Sequence, residues 1–311
     1  MRASRLLAAL VVCAAVLAPG RARAQAWPAP AGAGSVTLTA QAIDNTGHFV
    51  TGGDLLPDGK SRNVSAVVDV DYALTERLAV SVGLPYVFAR YIGPGPTPTP
   101  VQSPLDACRC WNSAWQDVNA SARYNVVTGT VALTPSISVG VPSHDYEWQG
   151  EAVVGFGLRE LRLALEGGVR LDAVSTRLAL TSRYQYAFVQ NVATLPDVAN
   201  NRSNGSLTAS YLVSERLSVR GGVSWQRTHG GLRYGSPLPG ADVPPPGDAT
   251  TDERVKQHDR LLRNHYWHLG AGATYSLARV DLFMSFLHFL AGTDTHSGRA
   301  LTLGVSVPFQ R

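Results

Sequence analysis

Beyond its first 24 residues, this chain of 311 contains no apolar run near the roughly 18 residues a membrane helix requires, so no helical span is expected. It also lacks the patterns that announce common chemistry. There is no His-Glu-x-x-His and no phosphate-binding loop, and Gly155-Phe156-Gly157 is too short to count as one. Nothing calls for a cofactor, and no metal set stands out. His265 and His268 are three apart on an expected strand, which turns them to opposite faces and keeps them from chelating together. Cysteine is scarce: only Cys108 and Cys110 lie beyond residue 24, with Arg109 between them. In an oxidising compartment the pair is a candidate short-ring disulfide, with free thiols and a metal role as the other readings.

Excess charge of one sign is missing too. The chain carries 27 basic against 23 acidic residues, but Arg2, Arg5, Arg21 and Arg23 precede residue 25, and without those four the balance is even. No basic patch interleaved with aromatics remains, which excludes a nucleic-acid partner. The four arginines belong to a signal peptide expected over residues 1–24. Arg2 and Arg5 precede an apolar run from Leu6 to Leu17, and Ala22-Arg23-Ala24 is a small-x-small cleavage site. Residues 25–311 then read as one domain, with no internal boundary.

What that domain has is alternation. Period-two segments run over 35–48, 63–74, 77–91, 115–126, 131–142, 158–171, 177–189, 206–213, 217–227, 265–277, 280–290 and 299–309. In each, one parity is apolar and the other small or polar. The polar set, spread over Gly, Ser, Thr, Arg and Asp, would make a poor dry core, so the apolar set is taken to face lipid. The helical reading of 158–171 fails on Gly167-Gly168 and on leucines spaced by two. A tyrosine of apolar parity stands ahead of each of four short turns: Tyr72, Tyr124, Tyr211 and Tyr275. With Phe309 they read as one membrane-interface girdle. Short turns alternate with long loops at about 51–62, 92–113, 143–157, 190–205, 228–264 and 291–298. Proline tracts occupy Pro94 to Pro100 and Pro244 to Pro246, and 251–264 reads as a short charged helix. The expected fold is an all-β, transmembrane antiparallel barrel of twelve strands, with short periplasmic turns and long extracellular loops. Its place is the outer membrane of a Gram-negative bacterium, its partners outer-membrane lipid and the barrel assembly machinery.

The inward parity carries Asp69, Asp71, Asp117, Arg123, Glu160, Arg162, Glu166, Arg170, Arg177, Arg183 and Arg220. Charges in a narrow lumen must be hydrated or paired across strands. Two readings stay open: a polar pore whose arginines attract anionic solutes, or a structural network that partly plugs the lumen.

Several stretches carry a family resemblance. Gly53-Asp54-Leu55-Leu56 precedes Val67-Val68-Asp69-Val70-Asp71-Tyr72, then Leu78-Ala79-Val80-Ser81-Val82-Gly83-Leu84-Pro85-Tyr86, then Trp115-Gln116-Asp117-Val118 and Ala122-Arg123-Tyr124. Together they resemble a family of outer-membrane proteins named for the meta-pathway of phenol degradation and described as transporters. The resemblance spans most of the chain after the leader. It implies an outer-membrane barrel and passage of aromatic or other small hydrophobic solutes. The C-terminus departs from the usual pattern, because Phe309 is followed by Gln310-Arg311 instead of ending the chain. A separate comparison is with outer-membrane phospholipase A, which carries His-x-Ser-Asn-Gly. Here the stretch is Asn201-Arg202-Ser203-Asn204-Gly205, with Glu215 where the base-orienting asparagine would stand. Without an imidazole the Ser203 hydroxyl is a weak nucleophile, and the chain reads as a non-enzyme. The expected function is a channel for passive diffusion of small solutes. The alternative is a closed structural or surface-interaction barrel whose extracellular loops do the work.

Overall fold

The computed structural model describes residues 26–56, 59–93, 104–233, 257 and 260–310. The leader expected over 1–24 and both proline tracts lie outside these residues, as does most of 251–264. The alternating segments become β1 (Ala33–Phe49), β2 (Leu55–Leu56), β3 (Lys60–Ala73), β4 (Leu78–Ile92), β5 (Asn112–Trp115), β6 (Asp117–Tyr124) and β7 (Val131–Pro142). The second half holds β8 (Glu160–Arg170), β9 (Leu178–Val189), β10 (Asn200–Leu212), β11 (Leu217–Gly230), β12 (His265–Ser276), β13 (Asp281–Thr293) and β14 (Thr295–Gln310). One short helix, α1 (Pro104–Cys108), lies in the second long loop.

Neighbours along the chain pair antiparallel, and β14 returns to β1 from Ala33↔Gln310 to Phe49↔Thr295. Because β5 and β6 are one wall strand broken at Gln116, and β2 is a small extension beside β1, the closed wall has 12 strands. Closure matters physically: it leaves no unpaired strand edge, the condition for a sheet to cross hydrocarbon. No described helix is long and apolar enough to cross. On one face Val82, Leu163 and Leu303 are 46–52 % exposed. Their neighbours on the other face bond to one another across a concave lumen. An apolar exterior round a polar interior is the sense a lipid solvent demands, and it places the barrel in the outer membrane of a Gram-negative bacterium.

Tyr72, Tyr124, Tyr211, Tyr275 and Phe309 lie in one ring at the short-turn end. Tyr72 and Phe309 both oppose Gly34, and their rings stack 6.3 Å apart. A Cβ on Gly34 would sit 2.5 Å from the Phe309 ring, so that close approach requires glycine. A second aromatic set at the long-loop end was not anticipated. Tyr86 meets Trp115 at 5.0 Å, and Trp225 lies 6.2 Å from both Tyr184 and Trp267.

Strand ends are where expectation and structure part. β10 begins at Asn200, so 200–205 are strand and not loop. The sixth expected loop, 291–298, is also strand, interrupted only at Asp294, whose φ is 52°. Both stretches are polar on both parities. Above the lipid belt the outer face meets water, so pairing continues where alternation has stopped. Two register shifts accompany this region, one between Asn45 and Gly47 and one between Trp267 and His268.

Candidate functional site

The lumen wall has a charged arc. Arg123 on β6 donates two bonds to Asp71 on β3, at 2.7 and 2.8 Å, reaching across β4. The β4 residue opposite Arg123 is Ala79, small and buried, which leaves room for the crossing side chain. The same device recurs next door. Arg162 on β8 donates to Asn119 on β6 at 2.8 Å, over Gly140 of β7. A Cβ there would lie 2.7 Å from the guanidinium. Glu160 accepts from Arg162 at 2.8 Å and pairs with Arg202 of β10 as well. Glu166 stands directly opposite Arg183, which donates to Gln185 at 2.8 Å. Asp69 lies against Gly83. Mixed signs on adjoining strands are thus joined into chains of charge-assisted bonds.

The remaining anticipated residues sit apart from these chains. Arg170 is 3.7 Å from Asp172 at the short-turn rim, and Arg177, just before β9, donates to the Val213 carbonyl at 3.3 Å on the exposed rim. Arg220 of β11 lies against Gly272, beside an arc that carries few charges, the buried Asp281 of β13 among them. That arc, formed by β12, β13, β14 and β1, bonds through hydroxyls and amides: Thr37 to Ser306 at 2.9 Å and Gln41 to Thr302 at 3.0 Å. Phe283 and Leu287 of β13 lie over Gly304 and Gly270 on its inner face.

Loops fold onto the extracellular mouth. Tyr146, in the third long loop, donates to Asp117 and accepts from the Gly157 amide at 3.1 Å. Burial, and then the Asp117 carboxylate, push the Tyr146 hydroxyl well above the usual phenol range. Arg260 donates to the Phe156 and Gly157 carbonyls at 2.7 and 2.8 Å and lies 4.6 Å over the Trp148 ring. Two cavities result. One, of about 370 Å³, lies in the lumen among Asp117, Glu160, Arg162, Arg202, Phe156 and Leu158. The other, of about 400 Å³, lies at the rim among His144, Tyr146, Trp148, Arg159, Gln190 and Arg260. In the second loop Cys108 and Cys110 are joined by a disulfide around Arg109, which adopts φ 52°. At the opposite end, the chain before β1 meets β7 from the lumen side: Asn125 and Thr134 both donate to the Ala26 carbonyl, at 2.9 and 3.0 Å.

Two side-chain sets escaped the sequence reading. His48 and His296 oppose each other on β1 and β14, and Glu151 of the third loop lies 3.3 and 2.9 Å from their Nε2 atoms. Burial raises the Glu151 carboxyl, but facing His296 and His48 outweigh it and hold the group below the usual carboxylate range. Parity counted along β1 turns His48 outward. The register shift after Asn45 reverses it, and that shift has no sequence signal beyond Gly47. The second set answers the expectation that Ser203 lacks a base. His229 of β11 supplies an imidazole, its Nε2 2.7 Å from the hydroxyl, and Tyr184 bonds the same oxygen at 3.0 Å. Ser203 is only 4 % exposed, and among the described residues no acid orients His229. The Ser203 hydroxyl is covered and shared between the Tyr184 hydroxyl and the His229 imidazole.

Among solved structures, the fold is similar to an outer membrane channel from Pseudomonas putida F1, with a TM-score of 0.67 and 16% identity over 93% of this chain and 99% of that one. It is also similar to the NanC porin, with a TM-score of 0.50 and 8% identity over 87% and 98%. At such identities the likeness is one of fold. No family model and no curated protein matches the chain, so the family resemblance rests on the residues quoted above.

Proposed function

We propose that the barrel is an outer-membrane channel through which small solutes cross by passive diffusion, and that its cargo is a compact aromatic or hydrophobic compound bearing a polar or anionic group. The lumen cavity of about 370 Å³ carries this reading. A cavity of about 150 Å³ suffices for benzene, so there is room for one substituted ring. The lining suits an amphiphile: Phe156 and Leu158 offer an apolar surface, and Arg162 and Arg202 offer guanidinium donors. The resemblance to the phenol meta-pathway family supports an aromatic cargo.

Passage would run by exchange of hydration for these wall contacts, with the charged arc setting the field. Tyr146 is the side chain between the cavities. It lines the rim cavity while its hydroxyl holds Asp117, which lines the lumen cavity. The test is single-channel conductance of refolded residues 25–311 in a planar bilayer. Discrete steps blocked by benzoate and phenol are expected, with Tyr146→Phe spending more time open. A folded but silent barrel would replace this reading with that of a sealed barrel working through its loops.

A further inference from the structure

We propose that His48, His296 and Glu151 bind a divalent transition-metal ion of the zinc type, and that the ion fastens the third extracellular loop to the barrel wall. The inference does not depend on whether the lumen conducts.

The two histidines are a directly opposed cross-strand pair on neighbouring wall strands, with ring centroids 4.2 Å apart. Rigid, paired backbone therefore fixes two imidazoles side by side. The third donor comes from a loop residue more than 100 positions from either histidine in the chain. One donor atom from each of the three residues falls within 4.8 Å of the others. In a tetrahedral site with bonds of about 2.0–2.1 Å, ligand atoms lie roughly 3.3–3.4 Å from one another. The His48 to Glu151 and His296 to Glu151 separations, 3.3 and 2.9 Å, are close to that edge.

The surroundings favour a built site. His48 is 4 % exposed, while His296 keeps a side-chain exposure of 28%, so the cluster is enclosed on one side and reachable on the other. Glu151 is positioned from behind: its own amide and that of Ala152 donate to the Asp106 carboxylate of α1, at 3.0 and 2.9 Å. The second loop thus holds the third loop, and the third loop presents the carboxylate. Two imidazoles and one carboxylate suit zinc-like ions, whereas calcium and magnesium call for oxygen ligands throughout. Three protein ligands leave a fourth position for water.

The experiment is calorimetric titration of the refolded, EDTA-stripped barrel with zinc chloride, with magnesium chloride as the control metal. One saturable zinc ion per chain is expected, with no comparable magnesium uptake. Glu151→Gln and the paired His48→Gln, His296→Gln variant should each weaken binding by at least the roughly 10–100-fold that loss of a ligand's supporting partner costs. Heat-modifiable gel mobility identifies which variants have folded. On the unaltered chain, cobalt should give visible absorption bands of tetrahedral type that zinc abolishes. Hydrogen exchange at Glu151 and Ala152 should slow when zinc is added. The proposal is overturned if the unaltered barrel shows no saturable zinc uptake. A folded Glu151→Gln variant binding within about threefold of the parent would also overturn it and leave a carboxylate hydrogen-bonded between two imidazoles.

Discussion

The two arcs of the lumen wall obey one alternation and carry different chemistry. From β3 to β10 the inner face carries two chains, Asp71 with Arg123, and Asn119 with Arg162, Glu160 and Arg202. From β12 round to β1 it is mostly hydroxyls, amides, glycines and the Phe283 and Leu287 side chains, with Asp281 buried at the short-turn end. The difference follows from desolvation. A charge in a confined space needs a partner within reach, so charges recruit charges on adjacent strands. The small residues differ in purpose as well. Ala79 and Gly140 make room for arginines that cross a strand, whereas Gly304 makes room for a ring lying over it.

The sharpest way to break this contrast is Glu160→Gln. Glu160, Arg162 and Arg202 have side-chain exposures of 13, 22 and 19%, and the substitution leaves two confined guanidiniums without their shared anion. A loss of about 3 kcal/mol is expected in denaturant unfolding of the refolded barrel. The pore should also become more anion-selective, measured as a reversal potential. Gly304→Val tests the second arc. The Phe283 ring lies 2.1 Å from the position of the new Cβ, so about 1–3 kcal/mol should be lost by the same assay. Replacing Arg183 and Arg220 together with glutamine should cost about 1 kcal/mol and lower the anion preference. Unchanged selectivity would detach the arginines from the permeation path. Gly140→Ala should cost under about 1 kcal/mol, because the guanidinium tip that faces it can swing aside. Smallest of all is Thr37→Val, which removes one hydroxyl bond to Ser306 and should shift stability by less than about 1 kcal/mol.

Much of the architecture was legible because the barrel's two solvents impose opposite polarity on alternate residues. The expected fifth strand, 131–142, coincides with β7, where the whole strand lies in the patterned belt. The misses fall above that belt. At 200–205 and 295–298 water bathes the outer face, alternation fades, and hydrogen bonding alone prolongs the strands. The charged residues of the lumen were legible by parity, but their partners were not. Arg123 passes over Ala79 to reach Asp71 on the second strand away, and no neighbour rule in one dimension anticipates a bond that skips a strand. Simple parity along β1 puts His48 on the wrong face, because one inserted residue reverses every parity after it.

By itself the sequence determined the sense of the barrel and the number of its wall strands, since each repeats a local rule many times over. Only tertiary structure decided how the inner charges pair, how the Tyr146 loop divides the lumen cavity from the rim, and how His48, Glu151 and His296 meet. Most of those contacts join residues distant in the chain, and the His48–His296 pair exists only once closure of the sheet has brought the first wall strand beside the last.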